Sequence, residues 1–394
     1  MTTGDGGINF ANTERRALRS FGNISVFIHQ SALEEIVRCE FDKGMAWATP
    51  KYTRSQVDAA GKSMANDFLD VPLFGPSSYD HVLEVINNWR SSHACPLQII
   101  KMTLLKRARK VDEHALIAQR IKRIPAIALK LRNTPSMNLS RMHDIGGCRA
   151  VVRKVHEVEK LVLLYEKATA KNARRSGEFV KKYDYITNPK STGYRGVHLV
   201  YKYRTASTKL RIYNGLRIEI QLRSQIQHAW ATAVETVDAF TAQALKSNLG
   251  EDSWKRFFAL VATAFAWMEK RPMVPGTSTD IAAVKKELHG YKSEMTILEG
   301  FKAATEMLVG EEGQVFLLRL DTEKRNLNVK RFPQQAMSLA QEAYLAVEKE
   351  NKGNSTVQAV LVSVDSLKAL RKAYPNYFGD VTAFVNLIGS FLAP

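Results

Sequence analysis

Glu219 is the residue on which chemistry can be built. In "LRIEIQLRS" (216–224) strict alternation puts Ile218, Ile220 and Leu222 on one face of a strand and Arg217, Glu219, Gln221 and Arg223 on the other. Such a polar face is compatible with plain solvent exposure, but an acid beside guanidinium groups is better suited to a phosphate-bearing substrate. Just upstream, "KKYDYITNPKSTGYRGVH" (181–198) is marked as a loop by its Asn, Pro, Ser, Thr and Gly residues, with Lys181, Lys182, Lys190 and Arg195 around it. Tyr194 stands between Gly193 and Arg195, an awkward place for a core residue. Presented on such a loop, its ring can stack on a base, a contact worth about 1–3 kcal/mol in single-strand binders.

A second carboxylate, Asp144, precedes Gly146 and Gly147 in "LSRMHDIGGCRAVVRKV" (139–155). It can ligate a hard cation, although an aspartate before two glycines also describes an ordinary turn. The pair His143–Asp144 is reminiscent of a metal-dependent phosphohydrolase, but the further histidines and aspartates such a site needs are not arranged around it. Between residues 101 and 132, ten Lys and Arg face only Asp112 and Glu113, a density that can line a polyphosphate site or simply a solvated face.

The elements that must position these groups follow from periodicity. Residues 79–132 read as helical, with Val82, Val85, Ile86 and Trp89, then Ile117, Ile121, Ile124 and Ala128, at three- and four-residue spacings. Cys148 to Val152 reads as a buried strand, "VHEVEKLVLLYEKATAKNAR" as an amphipathic helix returning from it, and "VHLVYKY" as another strand. Strand, helix and strand in succession predict an α/β core. Two long helices follow ("SQIQHAWATAVETVDAFTAQAL" and "DSWKRFFALVATAFAWMEKR"), in which Trp254, Phe257, Phe258, Phe265 and Trp267 are expected in the core.

The tail from 281 reads as a separate α+β pattern. It comprises a helix to about Val309, strands "QVFLLRLD", "NLNVKRF" and "TVQAVLVSV", the helix "QQAMSLAQEAYLAVEKE" and closing helices around "YPNYFGD". At the other end, "ISVFIHQ" and "SALEEIVRCEF" form a short apolar piece and a helical pattern, and "VPLFGPSSYD" (71–80) signals a boundary. The organisation expected is therefore a partly helical N-terminal extension (1–78), a central domain (79–275) and a C-terminal α+β module (276–394).

Composition narrows the class. The chain has 394 residues and a net charge of +18, which favours phosphate-rich partners without choosing between nucleotides and nucleic acid. No apolar run is long enough for a membrane span and the N-terminus does not resemble a signal peptide, so a cytoplasmic protein without a membrane partner is expected. Cys39, Cys95 and Cys148 are too scattered for a disulfide framework or zinc cluster.

Four linked motifs in order, "RIKRIPAIALK", "DIGGCR", "YDYITNPKSTGYRGVH" and "IEIQLR", make residues 80–270 resemble the RelA/SpoT-type nucleotide pyrophosphokinases, the alarmone synthetases of the stringent response. The resemblance implies a nucleotidyltransferase-like mixed sheet clasped by helices. It also implies transfer of pyrophosphate from ATP to the 3′-hydroxyl of GDP or GTP. By the same resemblance Asp144 and Glu219 would hold Mg2+, with Glu219 near the attacking hydroxyl. Arg120, Lys122 and Lys130 would neutralise the ATP phosphates and Arg149 would meet adenine. Tyr194 would stack the acceptor guanine, Lys190, Arg195 and His198 would seat the acceptor, and Gln221 and Arg223 would orient the site.

Two positions depart from the family pattern. Gly196 replaces a common serine, which is expected to loosen the loop, and Glu235 stands five residues after Trp230 rather than four, so it receives no role. The hydrolase domain of the long bifunctional members is missing, which implies synthesis only. Two alternatives stay open. One is a toxic relative acting on the 3′ end of tRNA, with the C-terminal module as neutraliser, sensor, oligomer contact or docking point for a regulatory partner. The other is a non-catalytic RNA-binding signalling module.

Overall fold

The computed structural model describes residues 47–66, 76–171, 177–244, 251–292, 294, 295, 298, 315–321, 326–333, 336–351, 357–363 and 381–393. The segments "ISVFIHQ", "SALEEIVRCEF" and "YPNYFGD" lie outside these residues, as does most of the stretch between 293 and 309. The strands are β1 (Leu116–Ile121), β2 (Gly146–Val152), β3 (Glu178–Asp184), β4 (Val197–Lys202), β5 (Arg217–Ser224), β6 (Val315–Asp321), β7 (Asn326–Phe332) and β8 (Val357–Ser363). They form an eight-stranded sheet in the order β3-β4-β5-β2-β1-β8-β6-β7. Only β2 and β5 run parallel; the chain crosses between them through helix α5 (Val155–Lys171) and the β3–β4 pair.

Register decides which side chains share a face. Gly147 pairs with Glu219 and Arg149 with Gln221, His198 with Gln221, and Arg120 with Gly147. With a side-chain period of two, Arg120, Arg149, His198, Glu219 and Gln221 therefore lie on one face. The opposite face carries Cys148, Ala150, Val152, Ile218, Ile220 and Leu222. These pack against Leu97, Ile100 and Leu104 of α3 (Ala94–Arg109) and Val158, Leu161 and Val162 of α5. Burying one face against two helices leaves the other free for charged groups.

The helical reading of 79–132 is corrected in its middle. Helices α2 (Pro76–Ser92), α3 and α4 (Ile124–Asn133) are present, but β1 separates the last two. Ile117 and Ile121 match a helical spacing by coincidence. The turn is fixed by Asp112, whose carboxylate accepts from the backbone N–H groups of His114 and Arg153, and the next residues pair with β2. Pro76 begins α2, so the second half of the expected loop 71–80 is helical. Strand β3 has no counterpart in the sequence reading, because Lys181 and Lys182 are exposed at the edge of the sheet and break the apolar alternation.

Helix α1 (Arg54–Asn66) packs with α2 and α4 around Val57, Met64, Ile86 and Ile127. Helices α6 (Gln225–Ala244), α7 (Glu251–Met268) and α8 (Ile281–Leu288) build another core. Of the five aromatics expected there, Trp254, Phe257, Phe258 and Phe265 are buried, whereas Trp267 is 49% exposed. Its ring meets the edge of Phe391.

The C-terminal elements join both layers. β8 pairs with the edge of β1 (Gln119↔Ser363, Arg120↔Val362), helix α9 (Met337–Glu350) covers β6 and β8 through Ala340 and Tyr344, and α10 (Thr382–Leu392) places Phe384 against Phe257, Phe258 and Phe265.

Behind the sheet, His93 lies wholly buried between α2 and α3 with its Nδ1 2.7 Å from the Trp89 carbonyl, which makes that nitrogen the donor. Burial pulls the imidazole down from 6.5 to about 4, only partly opposed by this hydrogen bond. The unfolded chain takes up a proton below 6.5 and the folded one only below about 4. Stability is therefore fully present above 6.5 and is lost as pH falls through that window. Between pH 6.5 and 5 the loss should be about 2 kcal/mol. Urea midpoints measured across this range should fall for the wild type and stay flatter for His93→Gln; parallel profiles would refute the assignment.

Candidate active site

Glu219 is 9% exposed at the centre of β5. Its Oε1 lies 2.9 Å from His198 Nδ1 and its Oε2 accepts from Gln221 Nε2 at 2.7 Å. His198 Nε2 lies 2.5 Å from the Tyr194 hydroxyl, and Arg223 Nη2 donates both to that hydroxyl (2.9 Å) and to Gln221 Oε1 (3.3 Å). The carboxylate needs a donor, which assigns the imidazole proton to Nδ1 and leaves Nε2 to accept from Tyr194. The result is a closed ring of five side chains that fixes Glu219 as a carboxylate. Burial works to raise that group, but the hydrogen bonds from His198 and Gln221 outweigh it and hold the carboxyl below its ordinary value.

Asp144 lies just before β2. Lys122 Nζ reaches its Oδ2 at 3.0 Å and Lys130 Nζ its Oδ1 at 2.8 Å. Burial alone would raise the Asp144 carboxyl; the two ammonium groups overcome it and hold the group at about 2. Lys122 follows β1 directly and Lys130 sits on the last turns of α4, so a strand end and a helix face converge on one acid. Arg120 and Arg149 are half-buried on the same sheet face.

The loop after β3 brings Lys190 and Tyr194 together. Lys190 Nζ stands 4.6 Å from the Tyr185 ring centre and 5.5 Å from that of Tyr194. The loop is clamped at Gly193, whose φ of +93° suits glycine and whose position leaves no room for a Cβ: one built there would lie 2.7 Å from Ala262 Cβ and 2.9 Å from Trp230. Gly196 does not loosen the loop. Its φ is +147°, a Cβ would press on Arg223 Cγ at 3.2 Å, and its carbonyl accepts from Tyr185 N–H at 2.9 Å. A serine here would be strained in this backbone.

Arg195 is not gathered with the others. It is 3% exposed and turned toward the helices, where Nη1 donates to the Pro272 carbonyl at 2.7 Å. The arginine thus ties the loop to the segment after α7. Three neighbours carried no assignment in the sequence. Glu235, on α6, lies close enough for its charge to raise the Tyr194 hydroxyl, which burial chiefly raises. Tyr183 and Tyr185 stack with centroids 6.0 Å apart at 11°, and Tyr185 also meets His198 edge-on. The signal for the tyrosines was the alternation in "KYDY" hidden inside a loop-like composition.

For a metal the donor set is two carboxylates. Asp144 and Glu219 are near enough for the charge of one to raise the other, and among the described residues there is no group of three or more His, Cys, Asp or Glu side chains able to hold an ion. Mg2+ needs one or two carboxylates when substrate phosphates and waters complete its shell, so this pair fits it. No described helix is long and apolar enough to cross a membrane.

Residues 119–239 match the family described as "Region found in RelA / SpoT proteins". Over these residues the chain is similar to a RelA/SpoT region. It runs from β1 into α6 and so contains Arg120, Lys122, Lys130, Asp144, Tyr194, Glu219 and the rest of the site. The GTP pyrophosphokinase YjbM of Bacillus subtilis (strain 168) is 30% identical over 129 residues, which is 31% of this chain and 56% of that relative. The chain thus spans little more than half the length of this curated relative. Among solved structures, the small alarmone synthetase 1 from Bacillus subtilis bound to its product pppGpp is 22% identical, with a TM-score of 0.37 over 49% of this chain and 94% of that one. A GTP pyrophosphokinase family protein from Streptococcus pneumoniae is 20% identical, with a TM-score of 0.37 over 49% and 90%. The C-terminal strands and α9 lie beyond the RelA/SpoT region.

Proposed function

We propose that the chain is a nucleotide pyrophosphokinase that moves the β,γ-pyrophosphoryl group of ATP to the 3′-hydroxyl of GDP or GTP. The observation that carries this reading is a lysine-bridged Asp144 at the entrance of β2, close enough to the ring-held Glu219 of β5 for their charges to act on each other. Phosphoryl-type transfer needs charge neutralisation and alignment more than covalent chemistry. Lys122, Lys130 and Arg120 neutralise the donor phosphates, and Arg149 lies beside them for the adenine. Lys190 and Tyr194 seat the guanine nucleotide, with Arg195 as the strut of their loop. Glu219 takes the proton of the attacking hydroxyl as the new P–O bond forms, and AMP leaves with the electrons of the broken P–O bond. Asp144 and Glu219 would hold Mg2+, which would supply further neutralisation of the phosphate oxygens.

One observation favours a second acceptor. The stacked Tyr183 and Tyr185, with Lys181 Nζ 4.7 Å above Tyr183, lie beside Tyr194, to which Tyr185 stands edge-on at 74°, and would give a tRNA 3′ end further aromatic and cationic contacts. Labelled ATP offered to the full chain with GDP, GTP and tRNA together is expected to give a 3′-pyrophosphorylated guanosine nucleotide. Label found only in tRNA would move the acceptor; no transfer to any of the three, at several Mg2+ concentrations, would overturn the function.

A further inference from the structure

Lys122 is held by its backbone as well as its ammonium group. Its N–H donates to the Ile145 carbonyl at 2.8 Å, and its own carbonyl accepts from Arg90 Nε at 2.9 Å. Arg90, on α2, is 3% exposed, and no carboxylate stands among the acceptors of its hydrogen bonds to Lys122, Asn87 and Tyr344. Nη1 donates to Asn87 at 2.7 Å, and Nη2 donates to the hydroxyl of Tyr344 at 2.6 Å, across 254 residues of sequence. The guanidinium carbon also stands 4.8 Å from the Tyr344 ring centre. Tyr344 is itself buried on α9, and its hydroxyl donates a hydrogen bond to Glu348 Oε1 at 2.8 Å.

A buried guanidinium keeps its orientation only while its donors have acceptors, and an unmet donor there is costly. Tyr344 is the acceptor that fixes the outer end of the Arg90 fork; the inner end fixes the carbonyl of Lys122. The fork therefore transmits the position of α9 to the residue whose ammonium sits on Asp144. The strand pairing of β8 with β1 at Gln119 and Arg120 anchors the same stretch from its edge.

We propose that Tyr344 is a positioning residue for the donor site: through Arg90 it sets the backbone of Lys122, and so makes the C-terminal segment a part of the ATP-binding apparatus. The proposal rests on the reading of Lys122 as a ligand of the ATP phosphates.

The test is equilibrium binding of a fluorescent ATP analogue to the full chain. Tyr344→Phe keeps the ring in the core and removes only the hydroxyl; its Kd for ATP should rise about three- to tenfold, the fold-change that one hydrogen bond of ordinary net strength corresponds to. Arg90→Lys, which keeps the charge but not the fork, should do the same or more. GDP affinity and thermal midpoint serve as controls that a merely structural role would move equally. In a Lys122→Ala background, Tyr344→Phe should add no further loss. Wild-type ATP affinity in both single variants, an equal loss for GDP, or an undiminished loss in the Lys122→Ala background would overturn the proposal. A chain that shows this ATP pattern yet makes no pyrophosphorylated product keeps the positioning role and loses the enzymatic function. A wild-type chain that does not bind ATP loses both.

Discussion

Glu219→Gln should lower kcat for pyrophosphoryl transfer by about a thousandfold, with a much smaller change in the KM for ATP. The amide preserves the shape of the side chain; its oxygen can still accept from Gln221, and its NH2 can meet His198 Nδ1 once the imidazole proton moves to Nε2, so the sheet stays intact. What is lost is the negative charge that the proposed mechanism uses to take the proton of the attacking hydroxyl. General-base contributions of 10²- to 10⁴-fold set the scale. Steady-state kinetics with GDP as acceptor would measure it. Activity within tenfold of the wild type would show that the hydroxyl loses its proton elsewhere. Cells expressing the variant bear on the non-catalytic alternative, because a signalling module that only binds RNA would keep its phenotype without this acid.

Gly193→Ala is expected to be nearly as damaging by a different route. The added methyl must occupy space already taken by Ala262 and by the Trp230 ring, which is itself fixed by its Nε1–H bond to the Phe258 carbonyl at 2.9 Å. A left-handed conformation in a residue with a side chain costs about 1–2 kcal/mol, and overpacking a further 1–3. The sum, about 3 kcal/mol, will appear either as a lower urea midpoint or as displacement of the loop that carries Lys190 and Tyr194. The second outcome should raise the KM for GDP more than tenfold and leave ATP binding close to normal. If neither midpoint nor KM moves, the loop does not need the clamp described here.

The contrast between these two residues shows where the sequence was readable. Alternation in 216–224 exposed the polar face of β5 directly, because a strand with one buried face writes its geometry into every second residue. Asp144 and the strand after it were legible for a similar reason. β1 was not, since its six residues, of which only Ala118 and Gln119 are buried, carry no alternation, and its isoleucines fit a helical spacing with α4. The orientation of Arg195 could not be read either: its neighbours in the loop are site residues, and only the packing of α7 and the following turn draws it the other way. The fork from Arg90 to Tyr344 joins positions that no local pattern connects.

The pairing of β8 with β1 also bears on how the protein is made. β1 finds β2 after about 25 residues of synthesis, but its other edge waits for roughly 210 more before residues 357–363 exist. At ordinary elongation rates that is on the order of 10–50 s during which a nascent chain presents unpaired strand edge. Open edges of this kind invite pairing with other chains. A gene cut off after residue 275 would make that exposure permanent. The C-terminal strands thus serve the biogenesis of the protein as a late-arriving cover for an edge formed early.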